Sequence, residues 1–322
     1  MTDDQSVLLL ATGGTIANPT DREGYLTGQE LLDSVPEVGA VADVEVRDVA
    51  SRGSSSIAPE NWWDLHREIE AAADRDEPPE GIVVTHGSNT VEETAYFLHL
   101  SVSTSIPVVL TASQRFHGMV GNDGNRNLLD AVRVAAHPHA RGRGALVVVN
   151  DEIHSAREVT KLVSSRPDAW SSGNLGVLGL TDMNGEVGFF RRSERRHAPD
   201  TEFEVGGTDS TALPRVEIVY CAVGMDGGMI EAAVEGGADG IVLAALPTGT
   251  AARPDQTEAA RRAHDEGTPV VLTHRGFDGW PYRTEEYIWG STLTPQKARI
   301  LLALALMETD DDEEIQRMFE TY

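Results

Sequence analysis

Apolar strand candidates of five or six residues recur through the first half of the chain, at 7–11, 44–49, 81–85, 107–111 and 144–149. Their length and closure by glycine or polar residues predict buried strands. The stretches 28–34, 59–73, 91–100 and 124–136 between them read as helices. Strands alternating with helices predict an α/β fold with a parallel, doubly wound sheet. Farther along, Gly176-Val177-Leu178-Gly179 and Glu186-Val187-Gly188-Phe189-Phe190 flank Met183-Asn184-Gly185. Asn-Gly between apolar segments signals a hairpin. The stretch 191–213 is polar and arginine-rich and reads as a linker. Beyond it, strands are expected near 215–222, 240–245 and 269–273, with helices near 226–236, 254–266, 294–307 and 312–321. The helix at 294–307 opens with Thr294-Pro295, an N-cap followed by proline. Its Ile300 to Leu306 segment is apolar nearly all round, which demands burial on more than one side. At 322 residues the chain exceeds the usual single core. The expected division is a larger N-terminal domain at 1–190, the linker at 191–213 and a smaller α/β domain at 214–322.

Two strand ends carry the chemistry. Val7 to Leu10 runs straight into Thr12-Gly13-Gly14-Thr15, which places hydroxyls just past the carboxyl end of a strand. Glycines there allow close approach and leave N–H groups to point at a ligand. No Gly-Lys-Ser/Thr follows and GxGxxG spacing is absent, so a phosphate loop is disfavoured. Gly81 to Thr85 has the same grammar and empties into His86-Gly87-Ser88-Asn89-Thr90, ahead of a helix with Glu92 and Glu93 in its first turn. The loop Gly24-Tyr25-Leu26-Thr27-Gly28 suits either hinge motion over a cleft or an ordinary turn.

With these loops in view, the chain resembles the L-asparaginases of the bacterial type I/type II asparaginase/glutaminase superfamily. The resemblance rests on ATGGTIA at 11–17, HGSNTVEETAYFL at 86–98, Asp123-Gly124 with Asn127, VVVNDEIHSAREVTK at 147–161 and TLTPQKARILLALAL at 292–306. It spans essentially the whole chain in order. It implies hydrolysis of the side-chain amide of L-asparagine to L-aspartate and ammonia. It also implies Thr12 as nucleophile, with Tyr25 on a mobile lid hydrogen-bonding it. Ser88, Asn89 and Lys161 fall on the family's proton-handling triad. Ser54, Ser55, Gly87, Ser113 and Thr248 fall among its substrate-binding positions. Family members are dimers or tetramers with sites at subunit interfaces, which implies a homo-oligomer here.

The residue types fit such chemistry. A hydroxyl needs a base to become nucleophilic, and lysine serves if burial lowers its pKa. Of the 26 basic residues only Lys161 and Lys297 are lysines. Arginine cannot deprotonate usefully, so a lysine kept at this position is informative; a structural salt bridge is the plain alternative. Two departures from the family pattern bear on substrate. Ser88 replaces Thr and keeps the hydroxyl. Asn89 replaces the Asp that pairs with the lysine and helps bind the substrate's α-ammonium, and the amide carries no charge. Ser55 stands where type II enzymes often carry Gln, and Thr248 where they carry Asn. For the Glu lent by a neighbouring subunit, Glu285 or Glu286 is the available stand-in. These departures leave open a retuned asparaginase, an amidase for another small amide, or a catalytically silent homologue.

The formal charge of −26 and pI near 4.6 argue against nucleic acid and anionic membranes as partners. Acid spread along the whole chain with little lysine resembles haloarchaeal proteins of high-salt cytoplasm, where self-repulsion is screened. No run of 18 apolar residues occurs and Met1-Thr2-Asp3-Asp4 lacks a basic leader, so a cytoplasmic location is expected. The single cysteine, Cys221, reads as a core thiol. The ten histidines form no zinc pattern and no cofactor signature appears, so cofactor-free catalysis is expected. His86 reads as a loop hydrogen-bonder, Trp62 and Trp63 as packing residues, and the acids at 310–314 as a solvated face.

Overall fold

Residues 7–10, 82–84, 108–110 and 145–149 are essentially inaccessible to solvent, as continuous apolar strands in the middle of a sheet must be. A computed structural model describes residues 5–203, 205, 212–251 and 253–322. Its contacts divide into two units, Met1–Glu202 and Phe203–Tyr322. Residues 204 and 206–211 of the expected linker, and the first four residues, lie outside the described residues.

In the first unit, β1 (Ser6–Gly13), β2 (Asp43–Arg52), β3 (Gly81–Thr85), β4 (Val108–Thr111) and β5 (Ala145–Val149) form a parallel array in the order β2-β1-β3-β4-β5. One sheet face, with Val7, Leu9, Val83, Val109, Leu146 and Val148, packs with Leu128, Ala131, Val132 and Ala135 of the helix Gly124–Ala135. The alternate residues, such as Leu8, Leu10, Ile82 and Val84, point to the opposite face. There the helices Pro59–Ala73 (α2) and Val91–Ser101 (α3) lie against the sheet and each other. In chain order, the remaining helices of this unit are α1 (Gly28–Asp33), ahead of α2, and α4, the Gly124–Ala135 helix.

The sheet is not parallel throughout. It continues through β6 (Glu152–Ser155), β9 (Gly179–Thr181) and β10 (Val187–Phe189), each antiparallel to its neighbour. The reversal comes at Asn150 and Asp151, whose φ values of 53° and 63° are both left-handed. Val149 pairs with Glu152 across them, a two-residue hairpin. The Asn-Gly hairpin is observed at β9–β10, with Asp182 accepting from the main-chain N–H groups of Asn184 and Glu186. Between β6 and β9 a separate two-stranded ribbon forms from β7 (Thr160–Lys161) and β8 (Trp170–Ser171).

The second unit is a wholly parallel sheet in the order β11 (Val216–Tyr220), β12 (Gly240–Ala245), β13 (Val270–His274) and β14 (Ile288–Trp289). Helices α5 (Gly228–Glu235) and α6 (Pro254–Asp265) cover one face, sharing a core with Cys221. Helix α7 (Pro295–Glu308) touches β11, β12, β13 and α8 (Asp312–Thr321). That is why it is apolar on all sides. The short strand β14 is not legible in the sequence.

Candidate active site

In a sheet ordered β2-β1-β3-β4-β5, the chain leaves β1 in one direction for β2 and reaches β3 on the other side. The crevice beyond the carboxyl ends of β1 and β3 is the topological switch point, where such sheets bind ligands. Ala11 is in register with Thr85, so Thr12 and His86 leave the sheet side by side. The two strand ends interlock. Gly13 and Gly14 turn with φ of 95° and 80°, and a Cβ on Gly14 would sit 2.4 Å from the Gly87 Cα. Gly14 N–H donates to the Arg52 carbonyl at 3.0 Å, anchoring the turn to β2. On the far side of Gly87 lies Ser54, whose Cβ would be 2.6 Å from a Cβ placed there. The Ser54 carbonyl accepts from the Thr90 hydroxyl at 3.0 Å.

Thr12 is buried, with its hydroxyl donating to the Thr85 carbonyl at 2.9 Å. The Lys161 amine reaches across 73 residues of sequence to donate to Ser88 Oγ at 2.8 Å and to Asn89 Oδ1 at 2.9 Å. Because an ammonium only donates, Asn89 must turn its oxygen to Lys161 and its Nδ2 donors away. Lys161 is partly buried, and burial lowers its pKa below the usual lysine value, opposed by the charge of Glu92. The Lys161 N–H donates to Glu92 Oε2 at 2.9 Å.

His86 is buried, with Nδ1 2.9 Å from the Gly87 carbonyl and Nε2 3.0 Å from the Thr94 hydroxyl. The indole of Trp62 donates to that same hydroxyl at 2.8 Å. A carbonyl can only accept, so Nδ1 carries the proton; Thr94 accepts from Trp62 and donates to Nε2. Burial pushes the imidazole pKa down to about 4. A neutral, oriented ring therefore holds the Gly87–Ser88 peptide. Trp62 thus does more than pack, although it also stacks on Phe97 at 5.2 Å between ring centroids.

The remaining candidates are placed as follows. Tyr25 is half-buried, with its hydroxyl 3.1 Å from where a Gly53 Cβ would lie, beside the Ser54–Ser55 turn; Ser55 is exposed. Ser113 is buried past the end of β4, its hydroxyl donating to the Arg115 carbonyl at 2.8 Å. Nearby, Asp123 accepts from the N–H groups of Gln114 and Arg115. Asn127 bridges the Ala112 carbonyl and the Asn150 N–H. Thr12, Ser54, Gly87, Ser88, Asn89 and Lys161 are thus joined by contacts within one unit. Thr248, Glu285 and Glu286 are exposed residues of the second unit. Sequence reasoning missed Glu92 and Thr94 as parts of the constellation. Glu92 was legible as a helix-start acid, but nothing local told of its bond to Lys161. Among the described residues, no group of three or more His, Cys, Asp or Glu side chains is arranged to hold a metal ion. No described helix is long and apolar enough to cross a membrane.

Comparison with known proteins covers nearly the whole chain. Residues 6–195 match the family model described as asparaginase, N-terminal, and residues 215–319 match the glutaminase/asparaginase C-terminal domain. L-asparaginase 2 of Bacillus subtilis is 37% identical over 99% of this chain and 87% of that protein. The glutaminase-asparaginase of Pseudomonas fluorescens biotype A is 36% identical over 98% of this chain and 90% of that protein. A crystal structure described as a probable cytoplasmic L-asparaginase from Campylobacter jejuni superposes with a TM-score of 0.94. It shares 33% identity and covers 99% of this chain and 100% of that one.

Proposed function

The chain belongs to the asparaginase family, and from that premise we infer that it hydrolyses the side-chain amide of L-asparagine to L-aspartate and ammonia. The single observation that best supports the reading is the Lys161–Ser88 bond at 2.8 Å, beside the interlocked Gly14–Gly87 turn that carries Thr12. In the ground state Thr12 donates to a main-chain carbonyl, which cannot take its proton. Activation therefore requires the hydroxyl to turn toward Ser88, which relays the proton to a neutral Lys161 amine. Thr12 Oγ1 then bonds to the amide carbon, and N–H groups of the glycine turns hold the developing oxyanion. The C–N bond breaks as the relay returns the proton to the leaving nitrogen, releasing ammonia. Water next adds to the resulting ester, its proton taken by the same relay, and the relay returns that proton to Thr12 Oγ1 as the ester C–O bond breaks and aspartate leaves. Tyr25, on the strap between Asn18 and Thr27, closes over the substrate and hydrogen-bonds Thr12. Ser54, Ser55, Gly87 and Ser113 complete substrate binding on the first unit, and Thr248 is a substrate-binding position by resemblance alone.

The same reading makes the protein a cofactor-free, cytoplasmic homo-oligomer. Exposed large apolar side chains such as Val120, Met183, Trp280 and Tyr282 support assembly. Net charge of −26 supports work in a salt-rich cytoplasm, without nucleic-acid or membrane partners. Thr12→Ala is expected to cut ammonia release from asparagine by about a thousandfold or more, with thermal melting unchanged. Turnover near wild type in that variant would remove Thr12 as nucleophile.

A further inference from the structure

The groups on the Lys161 amine leave its charge unanswered at close range. From the β3–α3 loop it meets Ser88 and Asn89, both neutral. From β8 it meets the Trp170 ring, whose centroid is 6.0 Å away. The charged group that acts on it comes from α3. Glu92 is only 6% exposed and sits in the first turn of that helix, where the dipole stabilises an anion. Its Oε2 accepts the Lys161 main-chain N–H at 2.9 Å, across 69 residues of sequence. This bond ties the short ribbon that carries the lysine to the helix that follows the Ser88 loop. Both ends of the Lys161–Ser88 contact therefore hang from one turn of α3.

Resting on the reading of Lys161 as the base, we propose that Glu92 is the positioning residue of this amine. Its buried carboxylate locks the lysine main chain to α3 and supplies the negative charge that position 89 lacks. Glu92 touches neither substrate nor the nucleophile in this role. It acts by setting where the amine stands and how readily it gives up its proton. An anion nearby favours the ammonium, so Glu92 holds the lysine closer to its ordinary basicity while burial pulls the other way. The reaction needs the amine neutral to accept a proton, so kcat/KM rises with pH through the lysine titration. Removing the anion moves that rising limb to lower pH, and adding one at position 89 moves it to higher pH.

The chain has just two lysines, which makes the test direct. Labelling with [13C]lysine gives two ε-methylene signals, and the one lost in Lys161→Gln reports the site. Glu92→Gln is expected to lower the titration midpoint of that signal by about one unit. The rising limb of kcat/KM for asparagine should move with it. Asn89→Asp should shift both upward. If Glu92→Gln does not fold, Asn89→Asp/Glu92→Gln keeps a carboxylate beside the amine, and its midpoint should lie below that of Asn89→Asp. A midpoint unmoved by Glu92→Gln, or equal in the single and double variants, overturns the proposal; lower melting temperature alone would mean a merely structural residue. Failure of the wild type to release ammonia would sink the hydrolase reading, while the NMR midpoints would still judge Glu92.

Discussion

The Gly13–Gly14 turn and the strap at 19–25 follow one another in the chain, yet they are held in opposite ways. The turn is wedged between β2 and the Gly87 loop, with no room for one added carbon. Residues 20–24 of the strap are exposed, and a Cβ on Gly24 would meet nothing within 4 Å. The strap is pinned at its ends, through Leu26 N–H to the Ala17 carbonyl at 2.7 Å and His117 N–H to the Asn18 carbonyl at 2.9 Å. Close packing keeps the proposed nucleophile in one place, which lowers the cost of orienting it. Loose packing is what the proposed lid role of Tyr25 requires, so that the ring can arrive after the substrate. Precision and access are thus assigned to adjacent stretches of one connection.

The sharpest break of that contrast is Gly14→Ala. Its φ of 80° disfavours any side chain, and the new carbon meets main-chain atoms that cannot move aside. A loss of about 4 kcal/mol is expected from strain and overpacking together, read by denaturant unfolding, with turnover abolished. Gly24 also has a left-handed φ, of 86°, but open space around it, so Gly24→Ala should cost only backbone strain of about 1 kcal/mol, and equal losses at the two sites would erase the distinction.

The rigid side also predicts a pH effect. An unfolded chain protonates His86 near pH 6.5, whereas the buried ring resists until about pH 4. The unfolded state therefore binds more protons in that window. Stability is fully present above it and is lost as pH falls through it, by up to about 3 kcal/mol. Unfolding free energies from pH 7 to 4 should fall less steeply in His86→Gln than in wild type; parallel curves would mean the ring is not held neutral.

On the exposed side, Tyr25→Phe should lower kcat by about thirtyfold, through loss of one oriented hydroxyl, with melting unchanged. A change in KM alone would make the strap a binding element only. The smallest expected effect is at Asn89, whose amide lacks the charge that the family resemblance assigns to this position for holding an α-ammonium. Asn89→Asp should lower KM for asparagine by about tenfold. An unchanged KM would move ammonium recognition elsewhere.

Much of the fold is written in local pattern. Continuous apolar runs marked the four inner parallel strands, because a strand covered on both faces needs no alternation, whereas the edge strand β2 alternates valine with charged residues. Asn184-Gly185 marked its hairpin through the backbone geometry it favours. Paired glycines located the turn after Thr12, where the chain approaches the Gly87 backbone too closely for a side chain. The reversal from β5 to β6 was hidden, because Asn150-Asp151 adopts a left-handed turn without the glycine that usually announces one. Strand β14 is two residues long and has no period to read.

The site was half legible. Which residues bear hydroxyls, an amine or a carboxylate is a property of the chain alone, and so is the rarity of lysine. That β1 and β3 are neighbours, that Lys161 ends on Ser88, and that Glu92 accepts the Lys161 N–H are decisions of the tertiary structure. They depend on contacts across about 70 residues, whose closure entropy is met only by burial of the whole sheet. No local spacing can encode such a pairing.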